Sequence, residues 1–130
     1  MKTAATSEAS LTRLADLQSA PTRNSFRLAA PDSPRFPVNA GALWRAWLEL
    51  TARAPRTRLI AKDSDERRSF HIQRSKIFRF PDLIRAEIVE LETGASAIAI
   101  DSRARYGYSD WGVNERRVKS WIAELEKRVK

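Results

Sequence analysis

A chain of 130 residues with 42% apolar side chains is long enough for one domain with its own core, without disulfide or metal staples. It has no cysteine and a single histidine, which excludes disulfide frameworks, thiolate nucleophiles, cysteine zinc sites and any two-histidine metal motif. The net charge of +8, from 18 Arg and 6 Lys against 16 acids, favours anionic partners such as nucleic acid, acidic lipid headgroups or phosphorylated metabolites. No basic run exceeds two residues, however, which argues against a dedicated nucleic-acid tail.

Residues 1–37 read as an N-terminal arm packing on a single body, 38–130. Leu11, Leu14, Ala15 and Gln18 mark one short helix. Pro21, Pro31, Pro34 and Pro37 then predict extended backbone, since proline fixes its own φ and biases the preceding residue away from helix. Phe26, Leu28 and Phe36 are the anchors of this arm. Met1 to Ala20 lacks the apolar segment of a secretory signal, and no uncharged apolar run approaches the ~18 residues of a membrane span. The expected location is cytoplasmic, with peripheral membrane attachment left open.

Asn39 predicts the start of the first long helix, because its side-chain oxygen can accept an orphan amide of the first turn. Leu43, Trp47 and Leu50 share one face, which Trp44 and Leu48 widen, and Pro55 stops the helix. Four strands are predicted next: Leu59 to Lys62, Ser69 to Ser75, Leu83 to Leu91 and Ala95 to Arg103. Alternation in the second places Phe70 and Ile72 on the core side and His71 on the outer side. Asp63 to Glu66 is a polar turn, Ile77 to Asp82 a connection carrying Phe78 and Phe80, and Glu92-Thr93-Gly94 a hairpin turn. A closing helix starts at Asn114 as N-cap, with Val113 and Val118 as staple partners. Val118, Trp121, Ile122, Leu125 and Val129 form its apolar stripe.

The predicted fold is therefore α+β: a curved antiparallel sheet of about four strands, covered on one side by two helices, with an extended N-terminal arm. Gln73-Arg74-Ser75-Lys76-Ile77-Phe78-Arg79-Phe80-Pro81-Asp82 resembles the Q-R-S-x-x-F-x-F-P-D segment of the bacterial family called domain of unknown function 1499. Ile100 to Asn114 resembles that family's I-x-S-R-S-R-x-G-Y-S-D-x-G-V-N signature, and Arg117-Val118 with Trp121 fits the helix after it. Ala104 departs from the pattern, where a second serine is usual. The resemblance implies the domain but brings no reaction, substrate or cofactor.

Two readings compete for the polar elbow after the last strand. In one, Ser109 and Asp110 bond their own backbone and Asn114 caps a helix, so the elbow is a turn. In the other, Arg103 and Arg105 project from one side of a strand end and join Arg74 and Arg79 from the other motif to hold an anion near a helix N-terminus. Asp82 and Asp110 can instead neutralise such a cluster. The candidate set is thus Arg74, Asp82, Arg103, Arg105, Ser109, Asp110 and Asn114, serving either as a ligand site or as a structural network. No catalytic residue, metal site or cofactor is assigned. The leading function is a non-enzymatic module for a small amphipathic or anionic ligand, a lipid, or a protein partner. The alternatives are a hydrolase or transferase acting on an anionic substrate held by Arg103 and Arg105, with Asp82, Asp110 or His71 as base, and nucleic-acid binding by charge alone.

Overall fold

The computed structural model describes residues 11–18, 24–106 and 111–129. In chain order the elements are a 3-10 turn (Leu14–Asp16), β1 (Ser25–Leu28), β2 (Arg35–Phe36), α1 (Ala40–Arg53), β3 (Thr57–Asp63), β4 (Arg68–Arg74), β5 (Pro81–Glu90), β6 (Ser96–Ala104) and α2 (Val113–Arg128). All six strands form one curved antiparallel sheet in the order β1-β6-β5-β4-β3, with β2 pairing β6 beside β1. Two helices and a curved antiparallel sheet confirm the α+β class.

The strand count is six rather than about four, because both extra strands come from residues 25–36. They are too short to show a period of their own and are placed by β6, whose outer edge needs pairing. β1 covers it from Ile100 to Arg103, and β2 at Ser96 and Ala97. Phe36 is fully in the core, while Phe26 and Leu28 pack against it. The helix expected around Leu11 to Gln18 is only the one 3-10 turn.

Both helices lie on one face of the sheet. Asn39 caps α1, its Oδ1 accepting from the Ala42 amide at 2.8 Å, and Glu90 of β5 accepts a second orphan amide, that of Ala40. Leu43, Trp47 and Leu50 from α1 and Val118, Trp121 and Leu125 from α2 fill the space above Ile84, Ile88, Ile98 and Ile100. Trp47 is at the centre: its ring meets Trp121 edge-on at 5.6 Å, and its Nε1 donates to Ser69 Oγ at 2.8 Å. Gly94, at φ +80°, makes the predicted β5–β6 hairpin turn, a conformation closed to most residues.

Two expectations are overturned by this packing. Asn114 is not the cap of α2; Gly112, in the left-handed conformation, occupies that position, and Asn114 is a fully buried residue of the first turn. His71 does not face outward. It is 1% exposed beneath α1, its ring 5.8 Å from that of Trp47. The strand alternates as predicted, with the two faces exchanged. Ser69 and His71 lie across from Ala86 and Ile84 on the helix side, whereas Phe70 lies on the far side, covered by the guanidinium of Arg85 at 4.7 Å.

Candidate functional site

The two sequence motifs meet at one end of the sheet. Asp82 pairs with Ala104 across β5 and β6, and the Arg105 amide donates to Pro81 O at 3.0 Å. On the helix side of this junction a polar network is organised by Arg117, one turn into α2. Its Nε donates to Gln73 Oε1 (2.6 Å), its Nη1 to Asn114 Oδ1 (2.7 Å) and Ser102 Oγ (3.0 Å), and its Nη2 to Asp82 Oδ2 (2.8 Å). Ser102 Oγ donates to Asn114 Oδ1, and Gln73 Nε2 continues the chain to Thr57 Oγ1 at 2.7 Å. The Arg117 and Asp82 side chains are only 8% and 15% exposed. One guanidinium therefore ties β4, β5, β6 and α2 together, using the planar fork that lysine lacks.

Arg103 belongs to the opposite face. It forms a bidentate pair with Asp101 (2.7 and 2.8 Å), and Arg27 Nε donates to the same carboxylate at 2.8 Å. Asp101 is buried, so two arginines compensate one desolvated charge. Arg85, close by, has its pKa lowered by burial first and by Arg103 second, with Asp101 opposing both. Arg74 and Arg105 are exposed: Arg74 Nη1 donates to Arg79 O (3.0 Å), and Arg105 lies 5.5 Å from the Tyr106 ring. Ser109 and Asp110 fall outside the described residues. The candidate set thus divides, with Asp82 and Asn114 in the helix-side network, Arg103 across the sheet, and Arg74 and Arg105 at its tip.

Arg117, Gln73, Asp101 and Arg27 were missed as members of these networks. A signal for Arg117 existed. Extending the apolar stripe of α2 toward its N-terminus passes through Arg117 and Asn114, which places both inward. Asp101 carried a similar signal, because alternation puts it on the face of Arg103.

The face carrying Arg27 and Asp101 also holds a cavity of about 410 Å³. Ala97, Ala99 and Val89 floor it, Ala29, Ala30 and Ser33 flank it, and Leu14 and Ala15 cover it. Residues 14–17 are fixed over the sheet by the Leu14 amide on Glu87 (2.6 Å) and by Arg27, which donates to Leu14 O (3.2 Å) and Leu17 O (3.1 Å).

His71 has a different character. Burial lowers its pKa from 6.5 to about 4, and its Nδ1 has no hydrogen-bond partner among the described residues. The folded state holds the ring neutral, while the unfolded chain binds a proton near pH 6.5. Stability is therefore full above that pH and falls as pH drops toward 4. Between pH 7 and pH 5 this one group should remove about 2 kcal/mol. Denaturant titrations of the wild type and His71→Leu at both pH values check it, since the variant should lose that part of the pH dependence.

A family model described as "Protein of unknown function (DUF1499)" matches residues 8–125. The chain belongs to this family. No curated protein matches it. Among solved structures, this DUF1499 chain is similar to Ara h 8.0201 (TM-score 0.57, 10% identity, covering 81% of this chain and 93% of that one). It is also similar to a START superfamily protein from Mycobacterium smegmatis (0.55, 11%, 82% and 97%). A third is the di-domain ARO/CYC BexL from the BE-7585A biosynthetic pathway (0.61, 11%, 80% of this chain and 45% of that one). These likenesses show a START/Bet v1-like fold for the DUF1499 chain, and at such identities they show the fold alone.

Proposed function

We propose that the domain is a non-enzymatic small-ligand-binding module, and that an apolar or amphipathic ligand lies on the sheet face turned away from the helices. One observation carries this: the cavity of about 410 Å³ is floored by Ala97 and Ala99 on β6, positions where a packed sheet face would carry larger side chains. On the other face, tryptophans and branched aliphatics occupy the space between helices and sheet. The charged groups bordering the cavity, Arg27 and Glu87, are engaged by the protein itself, so apolar contact dominates ligand binding. Likeness to START-superfamily and related folds is consistent with a small-ligand-binding module and is silent on the face used.

The helix-side network around Arg117 is best read as the frame that fixes the sheet's end. Asp82 is held by Arg117, while Arg103 and His71 face opposite sides of the sheet, so these three do not converge on one substrate. Native mass spectrometry of the purified protein tests the ligand reading. The expected result is an adduct on the folded protein that organic extraction removes, and that Ala99→Phe, which fills the cavity, abolishes. Protein at its sequence mass under native conditions, with no extractable compound, would contradict it.

A further inference from the structure

At the end of β6 away from the cavity, the β4–β5 turn and the residues after β6 hold a cluster of apolar side chains in solvent. Ile77 is 79% exposed, Phe78 72%, Tyr106 50% and Phe80 43%. Phe78 and Phe80 stack at 5.6 Å, and Phe80 meets Tyr106 edge-on at 6.5 Å, so the rings form one knob rather than scattered surface residues. Exposed apolar groups gathered in this way mark an interaction surface. Arg74, Lys76, Arg79 and Arg105 come from the same two stretches of chain and are exposed beside it. The one acid within residues 74–82, Asp82, is turned inward onto Arg117. The knob is therefore apolar at its tip and cationic around its base.

We propose that this knob docks the domain onto an anionic membrane surface. Ile77 and Phe78 enter the boundary between headgroups and acyl chains, while Lys76, Arg79, Arg74 and Arg105 lie against acidic headgroups. Charge complementarity selects this occupant, because an anionic bilayer is negative at its surface and apolar beneath. A single-stranded nucleic acid fits less well. It needs a groove with open ring faces for stacking, whereas this feature projects, two of its rings cover each other, and its most exposed member, Ile77, has no ring.

Co-sedimentation of the full chain with phosphatidylcholine vesicles, and with equimolar phosphatidylcholine–phosphatidylserine vesicles, tests the proposal. Wild-type protein should sediment with the anionic vesicles, far less with the neutral ones, and be released by added salt. The pair Ile77→Ser and Phe78→Ser should weaken partitioning at least about tenfold through lost apolar burial. Lys76→Glu and Arg79→Glu should each weaken it about fivefold or more. All four positions are exposed, and unchanged thermal melts establish that the variants fold. Absence of binding to anionic vesicles, or binding indifferent to the Ile77 and Phe78 changes, overturns the proposal. Binding of a single-stranded oligouridylate that Phe78→Ser abolishes, without vesicle binding, overturns it in favour of nucleic acid.

Discussion

Arg117→Leu should destabilise the fold by about 3–5 kcal/mol, the range for breaking a buried ion pair by removing one partner. Asp82 would keep a charge that is largely out of water, and Gln73, Ser102 and Asn114 would lose a donor together. Arg117→Lys should fall between, since an ammonium retains the charge but cannot reach four acceptors in one plane. The pairing is isolated by a double-mutant cycle: adding Asp82→Leu to Arg117→Leu removes the orphaned carboxylate, so the double variant should be less unstable than the sum of the singles. Equal, additive losses in equilibrium denaturation would mean that the pair is solvated and contributes little.

Trp47→Ala should cost a similar amount, about 3–5 kcal/mol, because a large side chain with no solvent exposure leaves a cavity its neighbours cannot close. The loss has two further components. Ser69 Oγ loses its donor, and the edge-on contacts with Trp121 and His71 disappear. Trp121→Ala should be non-additive with it, since the two rings touch. Urea denaturation followed by far-ultraviolet circular dichroism checks both; a Trp47→Ala variant with an unchanged midpoint would show that the helices do not pack through this ring.

The parts of the fold that were legible in the sequence are those with a local cause. Asn39 caps α1 because its side chain acts within three residues, and Gly94 marks a hairpin because the turn needs a left-handed residue. The illegible parts are set by what lies across the sheet. β1 and β2 exist because β6 needs an edge partner, and runs of four and two residues carry no pattern that could announce this. Which face of β4 is inside was equally hidden. Phe70 is more apolar than His71, yet the helices pack over His71, and a guanidinium covers Phe70 instead. Asn114 illustrates the same limit at a helix start: an ideal cap residue by type, it is used two residues after the cap, within the first turn, as a buried acceptor because Ser102 and Arg117 converge on it.

The candidate site divided along the same line. Proximity of the two motifs was readable from strand order, because successive antiparallel strands share an end. The partner that joins them was not, since Arg117 lies beyond either motif in the quoted segments and enters from the helix. Arg103 and Arg105, which share a side by period two, are separated in role by Asp101, a buried carboxylate that takes Arg103 into a partly buried triad with Arg27 and leaves Arg105 in solvent.

The ligand position is tested most directly by nuclear magnetic resonance titration of isotope-labelled protein with a soluble single-chain amphiphile. Saturable shift changes should concentrate on the amides of Ala29, Ala30, Val89, Ala97 and Ala99, which line the cavity on the helix-free face. Changes confined instead to the groove of about 560 Å³ between Phe36, Pro37 and the end of α2, lined by Ala123 and Val129, or no saturable change at all, would contradict the account.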